Sequence, residues 1–340
     1  MPRSPGWGQQ MQFHQWKRRE FVSLLVCAAG WPHLAHAQRS GQRPRIGFVY
    51  LGPVAMAGPR VEALLGGLRA AGFGGAEQVE IVLRPTEGDP SRIEPLVSEV
   101  LERNIDVILA VSSVMVQVFQ QKTKTIPIVA LDLETDPVGS GLVASLTRPG
   151  GNLTGLFFDF PDFSKKWLEL LREAIPQLTR IAVLWDPATA ATQRDAMGQA
   201  ARALAVEMDI LEVRTRSDFE GAFAAARQRS ADAAVMLTSP LIGANAQPLA
   251  ELAIHHRLPA VTLFPDFARV GGLLAYGVNL LDMYRQTGTM VAKVLQGRKP
   301  AELPIERPTR FELVLNLRAA KRLQLEIPTS VLLRADEVIE

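Results

Sequence analysis

Short apolar runs alternate with helical segments along almost the whole chain, and this alternation limits the possible folds more than any other feature. Arg45–Leu51 (RIGFVYL), Val79–Leu83, Asp106–Val111 (DVILAV) and Ile126–Leu131 read as strands. Between the first two, Gly58–Gly72 places Val61, Leu64, Leu65 and Leu68 at helical spacing. After Asp89-Pro90-Ser91, the residues Ile93, Leu96, Val97, Val100 and Leu101 do the same. Asp89 suits an N-cap, and Pro90 sits where its missing donor costs nothing. Ser112-Ser113 opens the helix after the third strand. Apolar strands separated by helices imply parallel sheets covered on both faces.

The pattern then restarts. Arg180–Trp185 (RIAVLW), Asp209–Val213, Ala233–Leu237 and Pro259–Phe264 are strand-like, and Pro161–Ile175, Thr189–Ala205, Asp218–Arg229 and Ile242–His256 are helical. Arg45-Ile46 recurs as Arg180-Ile181, 135 residues on, and Ile126-Pro127-Ile128-Val129 as Leu258-Pro259-Ala260-Val261, 132 residues on. Near-constant spacing implies two lobes of one β-α-β-α-β plan. The expected fold class is α/β, with two doubly wound parallel-sheet lobes joined by a hinge. The tail adds a strand at Leu273–Val278, a helix at Met283–Leu295, a linker at Glu302–Pro308, a strand at Phe311–Leu315 and a helix at Leu317–Leu323. The simplest path returns one strand-helix unit to the first lobe and then crosses back. Lobe 1 then comprises residues 38–157 plus about 277–300, and lobe 2 residues 158–276 plus about 305–340.

Between the halves, Asp136–Gly155 reads DPVGSGLVASLTRPGGNLTG. Five glycines and two prolines make it a shaped loop and not a regular element. It is read as the place where one half hands over to the other.

The N-terminus carries Lys17-Arg18-Arg19-Glu20-Phe21-Val22, an apolar stretch, and the small-x-small triplet Ala35-His36-Ala37. That order matches an export signal over residues 1–37, of the twin-arginine type. The mature chain would begin at Gln38, with a flexible run to Pro44. Cleavage removes four of the 37 basic and one of the 35 acidic residues, leaving 33 against 34. The apparent basicity is the signal itself, so there is no electrostatic case for nucleic acid. Cys27, the one cysteine, leaves as well. It follows Leu25-Val26, a poor lipoprotein cleavage context, so a soluble periplasmic protein is expected.

In open parallel sheets, ligands bind beyond the carboxyl ends of the strands. Two facing lobes would share one cleft that closes by a hinge. Leu51–Met56 and Asp132–Asp136 leave such strand ends. The candidates from the first lobe are Ser112, Ser113, Asp132 and Asp136. From the second they are Trp185, Asp186, Ser239, Asn245, Phe264, Asp266, Tyr276 and Asn279. Helix N-termini at Ser112 and Ser239 suit a carboxylate. Asp132 or Asp186 suits an ammonium, and Trp185, Phe264 and Tyr276 suit a flat ring. Bland roles compete. Ser112 and Ser239 are equally good caps, Asp186-Pro187 is a common turn pair, and Trp185 ends an apolar strand. Tyr276 and Asn279 fall near the expected hinge.

Catalytic signatures are missing: no G-x-S-x-G, H-E-x-x-H, Walker loop or G-x-G-x-x-G occurs. The expectation is therefore no enzyme and no cofactor, with a hydrolase built on Ser112 or Ser239 as the less favoured alternative. His14, His33 and His36 lie in the signal, and His255 and His256 are adjacent. Adjacent positions do not share a helix face, so no metal site is expected.

DPVGSGLVASLTRPGGNLTG closely resembles a signature segment of the ABC-transporter substrate-binding family that includes tryptophan- and tyrosine-binding members. IAVLWDP at Ile181–Pro187, HRLPAV at His256–Val261, GGLLAYG at Gly271–Gly277, FELVLNLRAAKRLQLEIP at Phe311–Pro328 and the closing LLRADEVIE agree. The resemblance covers the chain from about Arg43 onward. It implies a type I periplasmic-binding fold that captures a small organic solute, an amino acid or aromatic acid, between its lobes. It further implies delivery to the permease and ATPase of an ABC transporter, with a monomeric chain as the expectation. The alternative on the same fold is a ligand-sensing module for a receptor or kinase.

Overall fold

Each half of the repeat builds its own sheet in the computed structural model, which describes residues 43–73, 77–158 and 160–340, without the side chains of 160 and 161. The export signal read over 1–37 and the flexible run after it, up to residue 42, lie outside the described residues. In the first sheet, β1 (Arg45–Tyr50), β2 (Glu80–Pro85), β3 (Val107–Val111), β4 (Ile128–Asp132) and β5 (Leu153–Phe157) are all parallel, in the order β2-β1-β3-β4-β5. In the second, β6 (Arg180–Trp185), β7 (Glu207–Glu212), β8 (Ala233–Met236), β9 (Ala260–Thr262) and β10 (Leu274–Gly277) repeat that order as β7-β6-β8-β9-β10. Two more strands extend it: β11 (Glu312–Asn316), antiparallel to β10, and β12 (Glu337–Ile339), parallel to β11. These are two α/β lobes of one plan. Every residue of β4, β5 and β8 is buried, and β8 (AAVM) reads as an unbroken apolar run for that reason.

Helices α1 (Ala57–Ala70), α2 (Ile93–Leu101) and α3 (Ser113–Lys122) connect the first sheet. The chain crosses over after β5 into α4 (Phe160–Ala174), which packs on α5 (Ala191–Ala203). Helix α6 (Asp218–Gln228) follows β7. The single helix expected over Ile242–His256 is two, α7 (Pro240–Ala244) and α8 (Ala246–His255). The break falls at Asn245, whose backbone leaves helical geometry while its side-chain amide donates to the Leu241 carbonyl. After β9 comes α9 (Pro265–Arg269), and after β10 comes α10 (Leu280–Leu295). Helices α11 (Leu317–Arg322) and α12 (Thr329–Leu332) lie between β11 and β12.

The strand and helix expected to return together to the first lobe part company. The strand, β10, pairs with β9 and β11 in the second sheet. Only α10 goes back, packing along α1 and against β4. The two helices approach closely enough to require glycine at the crossing. A Cβ on Gly288 would lie 2.1 Å from the Leu64 carbonyl oxygen, and one on Gly67 1.9 Å from that of Arg285. The exchange is reciprocal: α4 follows the last strand of the first plan, and α10 follows the last strand of the second.

Asp136–Gly155 does not hand one half to the other. It is the connection from β4 to β5 inside the first sheet, and the handover comes after Phe157. Its Val143 is buried with the core beneath α3. Its outer side receives the later crossing, where Gly150 N–H donates to the Ala301 carbonyl and Ile305 N–H to that of Leu146. The same crossing strand runs along β5. Thr154 Oγ1 donates to the Leu303 carbonyl (2.9 Å), and Phe157 N–H to that of Glu306 (3.0 Å). Among the described residues, no helix is long and apolar enough to cross a membrane.

Candidate functional site

The carboxyl ends of β1, β3, β4, β8 and β9 open onto one cavity of about 340 Å³. Its wall comes from both lobes and from the first turn of α10. The repeat explains this placement. β1 and β3 are neighbours whose connections leave in opposite senses, and β6 and β8 stand in the same relation, so each sheet has a crevice at its switch point.

The two serines expected at this site occupy equivalent places. Ser112 follows β3 and caps α3, and Ser239 follows β8 and caps α7. Both line the cavity. Ser239 Oγ accepts from Ile242 N–H at 3.1 Å; Ser112 Oγ accepts from Met115 N–H only at 3.5 Å. Ser112 is held at φ +88°, a conformation a serine rarely adopts and one that concentrates at functional sites.

The α3 N-terminus already has a carboxyl partner. Glu134 Oε2 accepts from Ser113 N–H (2.9 Å) and Ser113 Oγ (2.6 Å). The position expected to receive a ligand carboxylate is thus filled by a side chain of the protein. Glu134 is buried yet lines the cavity. Burial pushes its carboxyl up to about 8, with the neighbouring Asp132 adding to the rise and the Ser113 bonds opposing it. Asp132 itself is buried behind the wall, where Oδ1 accepts from Glu134 N–H (2.8 Å) and shapes the turn that presents Glu134. Its carboxyl is also raised, chiefly by burial. Its Oδ2 and the hydroxyls of Thr238 and Thr262 are buried without a hydrogen-bond partner.

Arg60, from the first turn of α1, also lines the cavity. Its guanidinium donates to the Met56 carbonyl and lies 5.5 Å from the centre of the Tyr50 ring. Among the described residues it forms no ion pair with a carboxylate. Tyr50 and the fully buried Tyr284 share this corner, and burial raises the phenol of each. Leu51, Met56, Val111, Leu131, Leu133 and Leu280 complete an apolar lining.

Of the other candidates from sequence, Phe264, Asp266 and Asn279 line the cavity. Phe264 packs the tip of its ring against Gly243, and Asn279 caps α10 while its amide donates to Glu312 Oε1 at 3.1 Å. Asp266 is exposed and pairs with Arg269 at 3.3 Å. The rest stand off the cavity wall. Ser113 is buried in its bond to Glu134. Asp136 is exposed and accepts from Val138 N–H within its own turn. Trp185 is buried beneath Arg194, 4.7 Å from ring centre to guanidinium carbon. Asp186 accepts from Ala188 N–H in the turn out of β6, with its carboxyl raised mainly by burial. Asn245 joins α7 to α8. Tyr276 stacks on Phe163 (5.3 Å, 21°) and borders separate grooves with Lys166 and Phe311.

A family model described as "ABC transporter substrate binding protein" matches residues 58–339. The chain belongs to this family. A tyrosine-binding protein of Clostridioides difficile (strain R20291) is 24% identical over 261 residues, covering 76% of this chain and 74% of the relative. The ABC domain from Streptococcus pneumonia solved in complex with L-Trp has a TM-score of 0.79 at 23% identity, covering 88% of this chain and all of that one. The ligand-free, open structure of a substrate binding protein with adhesive properties from Clostridium difficile has a TM-score of 0.63 at 23% identity, covering 87% of this chain and 99% of that one.

In this substrate-binding protein, sequence reasoning passed over Arg60, Glu134, Tyr50 and Tyr284. Glu134 lies inside the Asp132–Asp136 strand end that geometry marks, where the local sequence does not say which carboxylate reaches the cavity. A lone charge one turn into a helix after the first strand, as at Arg60, was the other available signal.

Proposed function

We propose that this chain captures an aromatic amino acid between its lobes and delivers it to the permease of an ABC importer. The observation that carries the reading is the presence, on the wall of one apolar cavity, of a buried glutamate and an arginine that has no carboxylate partner among the described residues. A zwitterion satisfies both: its carboxylate meets Arg60 and its ammonium meets Glu134. Its ring then lies among Tyr50, Phe264, Tyr284 and the leucines, where aromatic surface is sheltered from water. The hinge is formed by three crossings, after β5, after β10 and between α10 and β11. Closure creates the form that docks on the permease.

The same cavity argues for binding over hydrolysis. Ser112 and Ser239 face it as helix caps, and its lining holds no histidine to act as their base. We assign the mature chain to the periplasm, exported by the signal over residues 1–37.

The test is a thermal-shift screen of the mature chain against the twenty amino acids and simple aromatic acids. A ligand bound only by the folded state raises the melting temperature. L-Trp, L-Tyr or L-Phe should give the largest shifts. Indole-3-acetate, which lacks the ammonium, should give a smaller one. No shift with any amino acid would overturn the reading.

A further inference from the structure

On the second lobe, away from the cavity, three side chains converge that the transport reading does not use. Glu220 lies in the first turn of α6, and His255 and His256 lie at the end of α8. Each offers one ligand atom, and these atoms all lie within 4.8 Å of one another. His256 Nε2 is 2.9 Å from Glu220 Oε1. The two imidazole rings are 5.0 Å apart, edge to face.

Adjacent histidines inside a helix would point in different directions. Here α8 ends at His255 and His256 is its C-cap, followed by Arg257 at φ +49°. The ring of His256 is fixed from beneath by Phe223, with centres 6.0 Å apart and planes at 24°. The second helix then supplies the carboxylate that the local sequence lacks.

We propose that Glu220, His255 and His256 form a surface site for a divalent transition metal ion, with zinc the best match. Two imidazole nitrogens and one carboxylate oxygen are the donor set such ions take, and three protein ligands leave further positions to water. The ion takes His256 Nε2 in the Nδ1–H tautomer, in place of the hydrogen bond to Glu220 Oε1. Glu220 and His255 are exposed, so the donors close around the ion by side-chain rotation alone. The bound ion ties the start of α6 to the end of α8.

The test is calorimetric titration of Zn²⁺ into the untagged mature chain, beside the His255→Ala and Glu220→Gln variants. Both substituted positions are exposed, and circular dichroism with the melting temperature in chelator checks that each variant is folded. One zinc ion per chain is expected, with affinity at least about tenfold weaker in each variant. The wild-type melting temperature should rise with Zn²⁺ and that of His255→Ala should not. No saturable zinc binding, or binding equal in the wild type and both variants, would overturn the proposal.

Discussion

Glu134 shows how a single side chain sets the character of the cavity. It takes the bonds that a ligand carboxylate would have found at the α3 N-terminus, and so closes that position to an anion. Its carboxyl, raised by burial to about 8, binds more protons in the folded chain than in the unfolded one. An unfolded glutamate ionises near pH 4.3. Stability is therefore fully present below about pH 4.3 and falls as pH rises toward about 8. Glu134→Gln should flatten the ligand-free stability profile between about pH 5 and 8, measured as urea midpoints; an unchanged slope would count against the assignment. Arg60 carries the other charge. Arg60→Ala should weaken amino-acid binding at least about tenfold, since a hydrogen bond to a charged partner contributes about 1.5–3 kcal/mol. Equal affinity in the variant would remove Arg60 from the site. These residues were hard to read because strand-end reasoning names segments, and which side chain turns inward depends on bonds such as Asp132 Oδ1 to Glu134 N–H.

At the scale of elements, the strands were legible and the exchange of helices was only half so. Apolar runs such as RIGFVYL and RIAVLW became β1 and β6 because burial on both faces leaves no polar alternation to misread. The place of β10 was less visible. A strand followed by a helix looks like one unit, yet the strand stays with β9 while the helix leaves. What decides it is the crossing of α10 and α1 at Gly288 and Gly67, a tertiary contact between residues more than two hundred positions apart. The glycines of Asp136–Gly155 drew attention first, but two glycines in ordinary helical runs bear this approach. Gly288→Ala forces a methyl onto the Leu64 carbonyl and should lower the melting temperature by roughly 2–10 °C. A melting temperature equal to wild type would mean the helices do not meet there. Trp167 gives a second check: Trp167→Phe abandons its 2.7 Å bond to the Tyr276 carbonyl and leaves that group unpaired. A loss of about 1–3 kcal/mol is expected in chemical denaturation.

At the scale of the molecule, the described residues form two lobes of one α/β plan, each lending a helix to the other. Ser112 and Ser239 mark the duplication inside the cavity itself, as caps after equivalent strands. The two polar groups that would read a zwitterion, Arg60 and Glu134, both come from the first lobe, whereas Phe264 comes from the second. On the proposed reading, the first lobe would hold the polar end of the ligand and the second would close over its ring. The most direct measurement of this account is calorimetric titration of L-tryptophan and L-tyrosine into the mature chain. One molecule per chain, with a negative heat-capacity change from buried aromatic surface, is the expected result. No binding heat with either amino acid across several temperatures, while the chain stays folded, would contradict it.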